Sequence, residues 1–441
     1  SPDAGAMTLD GRPYAPRNPK EARAAGVSMI HQELALAPHL TVEENITLGA
    51  EHHQRGILRR RRDEVKTALQ ALGHEAFDLD LPVNKLGVGK QQIVEIARSL
   101  LLRSRVVVMD EPTSSLSAED TRTLFEVIKR LRAQGVTVIY ISHFLEEIQE
   151  IADDYTVLRD GRTAASGAMA QTTIDQIVAH MVGRAPEEMF PRLPHAIGKV
   201  LLLADNIFRP PKVQNVSLML HEGEILGIAG LVGAGRTELL RCLFGLDASG
   251  GSLTVGESTV DLRHHSPQKS LALGISMVSE NRKEEGLALR RPIRDNITYS
   301  SLRRFAGFAG RIDEQREALT ATDCAQQVAL KYNRLLDPVS ALSGGNQQKT
   351  ALARLLADDS RILLLDEPTR GIDVGAKIEV YALIGKLAAR GCGVVMVSSY
   401  LPELFGVCDT LAVMFRGTLS AALPIAQWSE ESIMSWATMG K

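Results

Sequence analysis

The sequence predicts two tandem copies of an α/β nucleotide-binding unit, each built on a parallel sheet with helices on both faces. Three observations carry that expectation. Motifs recur along the chain at fixed offsets, short runs of Val, Ile and Leu alternate with amphipathic helical stretches, and a glycine-rich loop joins a strand pattern to a helix pattern.

The repeat fixes the organisation. Positions 106–113 read Val-Val-Val-Met-Asp-Glu-Pro-Thr, and 362–369 read Ile-Leu-Leu-Leu-Asp-Glu-Pro-Thr, an offset of 256. The same offset relates Gly89 to Gly345, Ser142 to Ser398, Asp153 to Asp409 and Gly161 to Gly417. Upstream, Gly26-Val27-Ser28-Met29 pairs with Gly274-Ile275-Ser276-Met277 at an offset of 248, so insertions separate the two regions. Near 183–199, Arg-Ala-Pro-Glu-Glu and Pro-Arg-Leu-Pro break any helical period. The expected domains are therefore 1–185 and 199–441, with a linker at 186–198. Within the first copy, an apolar strand at 106–109, a helix near 118–133 and a strand at 136–141 follow one another. Fully apolar strands between helices indicate a sheet covered on both sides.

Composition agrees and excludes other classes. The 441 residues suit two or three domains at about 150 residues each. With 44% hydrophobic and 23% charged residues the chain is far from a disordered composition. A net charge of -3 gives no electrostatic reason to bind nucleic acid or an anionic membrane. Cys242, Cys324, Cys392 and Cys408 form no CxxC pair, as expected for a reducing compartment without disulfides or zinc. No run nears the roughly 18 apolar residues needed to cross a bilayer, and no signal pattern is present, so the expected membrane contact is through a protein partner.

The phosphate loop is expected in the second copy. A strand at 225–229 leads into Gly230-Leu231-Val232-Gly233-Ala234-Gly235-Arg236-Thr237, then a helix starting Glu238-Leu239-Leu240. This is GxxxxGK[ST] with arginine in place of lysine. Glycines let backbone amides curl around phosphate oxygens and the helix N-terminus adds partial positive charge, with Thr237 placed as a Mg²⁺ ligand. A glycine-rich turn before a core helix has the same composition; the strand-loop-helix context favours phosphate. Arg236 keeps the charge, but its planar fork is no substitute for a compact ammonium, so binding is expected to survive and hydrolysis to be impaired.

Asp110-Glu111 and Asp366-Glu367 each end an apolar strand, where ligands usually sit in such sheets. The aspartate can hold Mg²⁺ through water and the glutamate can polarise an attacking water. One such turn reads as a strand end; two in register, each about 18 to 20 residues after a glycine-rich segment, point to a site.

Those segments are Leu342-Ser343-Gly344-Gly345-Asn346-Gln347-Gln348 and Leu86-Gly87-Val88-Gly89-Lys90-Gln91-Gln92. The first, followed by a helix and Leu-Leu-Leu-Asp-Glu-Pro-Thr, resembles the signature and Walker B motifs of ABC ATPases. The resemblance implies a P-loop NTPase fold of the ABC type, each copy with a helical signature subdomain, acting on ATP with Mg²⁺. It also implies that Ser343, Gly344, Gly345 and Gln347 of one copy, and Gly87 and Gly89 of the other, lie at nucleotide held by the opposite copy's phosphate loop. The Gly-Asn-Gln-Gln-Lys form, the loop ending in Glu238, the octapeptide Ser-Glu-Asn-Arg-Lys-Glu-Glu-Gly at 279–286 and the short junction resemble tandem ATP-binding subunits of monosaccharide importers. That narrower resemblance implies an ATP-hydrolysing translocase subunit, peripheral on the cytoplasmic face of a bacterial inner membrane. Its partners would be integral-membrane permease subunits and, through them, a periplasmic sugar-binding protein.

Carried over by position, Gln32 matches the glutamine that senses Mg²⁺ and the γ-phosphate, and His143 the switch histidine. Alone, His143 reads as a satisfied strand-end residue. The second copy has Glu280 and Ser399 at these places, while Gly87 replaces the serine retained as Ser343. The implied pairing joins Gln32, Asp110, Glu111 and His143 with the intact signature into a hydrolytic site. Glu280, Asp366, Glu367 and Ser399 join the altered signature in a weak one. The implied permease contacts follow Gln32 and Glu280, near Asn45-Ile46-Thr47 and Asn296-Ile297-Thr298.

Carrying Arg236 back by the 248 offset puts its counterpart about a dozen residues before Ser1. The expectation is a truncated sequence whose first sheet leaves apolar strand faces unburied. Two other readings stand beside the importer: a non-hydrolysing nucleotide-binding regulatory module, and a soluble tandem ABC protein acting on ribosomes or nucleic acid. The second usually carries a long charged linker and a Ser-His-Asp-Arg switch, where this chain has Ser142-His143-Phe144-Leu145.

Overall fold

The computed structural model describes residues 5–31, 34–50, 52–54, 57–74, 77–113, 116, 118–142, 144–159, 161–183, 189–231, 233–307 and 310–440. The chain divides between His180 and Met181 into two compact units.

In the first unit β1 (Val27–Ile30), β2 (Val106–Asp110) and β3 (Thr137–Ile141) form a parallel sheet in that order. Three helices pack together beside it: α1 (Val42–Thr47), α2 (Arg62–Ala71) and α3 (Val88–Leu101). Thr41 starts α1 with a reciprocal cap, its hydroxyl accepting from the Glu44 amide while the Glu44 carboxylate accepts from the Thr41 amide. Apolar faces at Val42 and Ile46, Val65 and Leu69, and Ile93, Val94 and Ala97 meet Ile30, Val107 and Met109 of the sheet. α4 (Ala118–Ala133) adds Leu124, Val127, Ile128 and Leu131 to this core. α5 (Leu145–Ile151) follows β3, and a hairpin of β4 (Asp154–Arg159) and β5 (Arg162–Ala168) forms a sheet of its own.

The second unit has two sheets. β6 (Val200–Arg209), β7 (Val213–His221), β9 (Gly250–Val255) and β10 (Ser258–Asp261) form an antiparallel sheet in the order β7-β6-β9-β10. The central sheet contains β8 (Ile225–Gly230), β11 (Ile275–Val278), β12 (Ile362–Asp366), β13 (Gly393–Val397) and β14 (Thr410–Phe415), ordered β11-β12-β13-β8-β14 and parallel throughout, with short antiparallel strands on β14. Alternate side chains of these strands serve two cores. Leu226, Ile228, Met277, Leu364 and Val395 pack toward the antiparallel sheet and α6 (Arg236–Phe244). Ile225, Val278, Leu363, Leu365 and Val394 face the helices on the other side. These include the packed trio α7 (Ile293–Thr298), α8 (Glu314–Gln327) and α9 (Gly344–Ala357), then α10 (Val374–Ala389), α11 (Leu401–Val407) and α12 (Glu430–Met439). Each unit thus carries three packed helices where a helical signature subdomain is expected.

The stretch expected as a linker is described from residue 189 onward, and it lies against the second unit. Arg192 donates to the carbonyls of Phe405, Gly406 and Cys408 at the end of α11. His195 bonds Asp409 at 3.0 Å, and Phe190 packs on Tyr381. Under this strap lies a cavity of about 240 Å³ bordered by Leu193, His195, Tyr381 and Val407.

Candidate nucleotide-binding site

In the second unit the site grows from the end of β8. Gly230 closes the strand, and Gly233 and Gly235 take φ values of 81 and 108°, which L side chains rarely adopt. A Cβ on Gly235 would collide with the Lys212 carbonyl, whereas one on Gly233 would meet nothing. The turn is held from behind and open in front, the form of a cradle for phosphate at the start of α6.

Two strands away, β12 delivers Asp366, and Glu367 follows at φ 47°, its amide donating to the Val397 carbonyl at 2.9 Å. The first unit repeats the turn: Glu111 has φ 44° and donates to Ile141 at 2.9 Å, after Asp110 at the end of β2. A glutamate held left-handed is strained, and its recurrence in both units marks a position whose direction matters.

Arg236 does not point out of the loop. It is buried, Nη1 donates to the Ser398 carbonyl at 2.6 Å, and Nη2 lies 3.7 Å from Glu367 Oε1. Burial lowers its pKa, an effect that Glu367 and Asp366 oppose. Burial also pushes Glu367 up to about 7, against the pull of Arg236 and the Ser399 hydroxyl. Glu238, in the first turn of α6, is offset by Lys212 at 3.4 Å.

Asp366 is fully buried, and among the described residues neither carboxylate oxygen makes a well-formed hydrogen bond, the Thr237 hydroxyl lying close by without one. Burial lifts it to about 6, and the Thr237 hydroxyl offsets this in part. A buried orphan carboxylate beside a hydroxyl at a phosphate cradle fits a hard divalent cation such as Mg²⁺, which favours oxygen ligands and keeps several waters.

Ser343 is the N-cap of α9, and Asn346 Nδ2 donates to its hydroxyl at 3.0 Å. Gly345 is needed for packing, since a Cβ there would lie 2.8 Å from that of Ala376. Gln347 donates to the Leu342 carbonyl at 3.1 Å, as Gln91 does to Leu86 at 2.9 Å. Gly87 caps α3 without a hydroxyl, and Gly89 lies against Asp120. Gln32 and His143 lie outside the described residues. Glu280 is ion-paired with Arg370, and Ser399 is exposed beside Glu367.

Sequence reasoning misses the inward turn of Arg236 to a main-chain carbonyl, which no motif encodes. It also treats 279–286 only as a family mark, although Arg282 of that octapeptide donates to the carbonyls of Arg370 and Gly371. The repeat held a signal: by the two offsets, Leu34 and Ser114 stand where Arg282 and Arg370 do.

The ABC transporter family profile matches residues 1–114 and 213–370. The chain is 42% identical over all its length to a ribose import ATP-binding protein, RbsA 1, of Rubrobacter xylanophilus, of which it covers 88%. It is 40% identical, again over its full length, to the ribose import ATP-binding protein RbsA of Caldanaerobacter subterraneus, covering 89% of it. With the RbsA of Yersinia pestis it shares 41% identity over 99% of this chain and 86% of that one.

Proposed function

We propose a function from one premise: the chain belongs to the ABC transporter family. It is the ATP-hydrolysing subunit that energises import of a monosaccharide through separate permease subunits, themselves supplied by a periplasmic sugar-binding protein. Among the described residues no helix is long and apolar enough to cross a membrane. The chain works as a peripheral subunit on the cytoplasmic face.

The observation that carries this reading is the orphan carboxylate of Asp366 beside Thr237, at the mouth of a glycine cradle and next to a left-handed Glu367. Backbone amides of 233–235 and the first turn of α6 hold the nucleotide's phosphates. Thr237 and Asp366 would hold Mg²⁺, which would supply neutralisation of the phosphates' negative charge. Glu111 and Glu367 are each placed to orient water and take its proton, with Gln32 and His143 completing the first unit's set. The units divide the work. Arg236 is committed to the Ser398 carbonyl and to Glu367 rather than to phosphate, so the second unit binds nucleotide and turns it over poorly. Glu111 is the principal hydrolytic base.

The test is reconstitution with the permease in vesicles containing ATP. Sugar uptake that requires hydrolysis is expected. ATP binding without turnover, in the presence of permease and sugar-binding protein, would favour the regulatory reading instead.

A further inference from the structure

Two segments leave the central sheet side by side in the second unit. One, 279–286, follows β11; the other, 367–373, follows β12, and the two strands are paired up to Val278 and Leu365. Two arginines cross between the segments. Arg282 Nη1 and Nη2 donate to the carbonyls of Arg370 and Gly371 at 2.7 and 2.8 Å. Arg370 reaches back and closes an ion pair on Glu280. Each segment therefore holds the other, once by main chain and once by side chain.

The surroundings tie this clasp to the site. A Cβ on Gly344, the first residue of α9, would lie 2.9 Å from Arg282 Nη2, so the guanidinium fills the space beside the signature helix. Glu285 of the same octapeptide receives Arg241 of α6 at 3.1 Å, and Asn281 takes Glu284 at 2.8 Å. The carboxylates nearest Arg282 in sequence are thus engaged elsewhere, and Arg282 spends its fork on carbonyls. A lysine cannot span two carbonyls in this planar manner. The first copy has Leu34 and Ser114 at the matching positions, which carry no guanidinium, so its sequence cannot form the same clasp.

We propose that Glu280, Arg282 and Arg370 are positioning residues that lock segment 279–286 to the loop after Glu367, making the second unit a rigid transmitter between its nucleotide site and the permease. The proposal rests on the importer reading. An exposed ion pair alone holds weakly, but one closed beside a two-carbonyl fork restricts both segments.

Two measurements test it. In the chain alone, hydrogen exchange of the amides 279–286 is expected to quicken at least tenfold in Arg370→Glu, which sets two carboxylates face to face. The reversed pair, Glu280→Arg with Arg370→Glu, restores the slow exchange. Unchanged exchange in Arg370→Glu, or no restoration in the reversed pair, overturns the clasp whatever the chain transports. In reconstituted vesicles, sugar imported per ATP hydrolysed is expected to fall fivefold or more in Arg370→Glu and in Arg282→Ala, with partial recovery in Arg282→Lys. Thermal melting verifies that each variant is folded, and Arg282→Lys stands in should Arg370→Glu not fold. A wild-type import ratio in folded clasp variants overturns the coupling role. Absence of import by the wild type sinks the importer reading and leaves the exchange result to stand by itself.

Discussion

The two units pair equivalent strands in the same register, within a parallel sheet of three described strands in the first unit and of five in the second. Met29 pairs with Val108 and Val108 with Ile139 in the first unit; Met277 pairs with Leu364 and Leu364 with Val395 in the second. Met29 and Ile139 are 43% and 50% exposed, whereas Met277 and Val395 are 7% and 0%. Leu158 of β4 is 70% exposed and its counterpart Met414 of β14 is fully buried, because β14 lies against β8. Strand register is therefore set locally, by apolar alternation and adjacent strands. In the second unit the burial of these positions comes from β8, α6 and the antiparallel sheet.

That contrast can be broken or sharpened. In the hydrolysing transporter, Glu111→Gln is expected to lower ATP turnover about 100- to 1000-fold, while Glu367→Gln changes it by less than about threefold; equal losses would end the proposed division of labour. Met277→Ala should destabilise the second unit by about 2–5 kcal/mol in urea unfolding. An unchanged urea midpoint in Met277→Ala would show that this side chain does not hold the core together. Next comes Gly406→Ala, whose new methyl collides with the Phe190 ring. The expected loss is about 1–3 kcal/mol, outweighing the gain in helix propensity. An unchanged midpoint would show the strap to be dispensable.

The smallest effect is a pH dependence. Burial and the nearby Arg192 oppose protonation of His195, but hydrogen bonds to Asp409 and the Leu193 carbonyl outweigh them and raise its pKa above the ordinary value. A raised histidine stabilises fully below its unfolded pKa of about 6.5 and loses that contribution as pH rises through the folded value. The second unit should lose stability as pH rises above about 6.5 through the raised folded-state value, and His195→Gln should remove that part of the slope. A slope identical in both proteins would assign it to other groups.

Much of this was legible in the residues. The offsets of 256 and 248 relate turns that share a backbone conformation, as at Glu111 and Glu367. They also relate Ser28 bonded to Ser104 with Ser276 bonded to Ser360. The phosphate loop, the acidic pairs and the signature helices follow from glycine placement and strand ends, which are local. What sequence could not supply is side-chain direction over long separations. Arg236 and Ser398 are 162 residues apart, and whether a guanidinium turns toward phosphate or toward a carbonyl is decided by packing around it. Prolines mark 191–194 as non-helical, but they do not say whether a non-helical stretch hangs free or lies on a neighbour.

The strap has a practical meaning for dissecting the protein. A fragment begun at residue 199, where the motif boundaries suggest the second half starts, would strip Phe190, Arg192 and His195 from α11. It would leave three carbonyls and the Tyr381 ring without these partners, and Asp409 Oδ2 with only the Ile225 amide. One begun at residue 189 keeps all of them. The clean cutting point lies ahead of the prolines, and foreign sequence spliced in after Phe190 would unseat a piece of the second unit rather than lengthen a spacer.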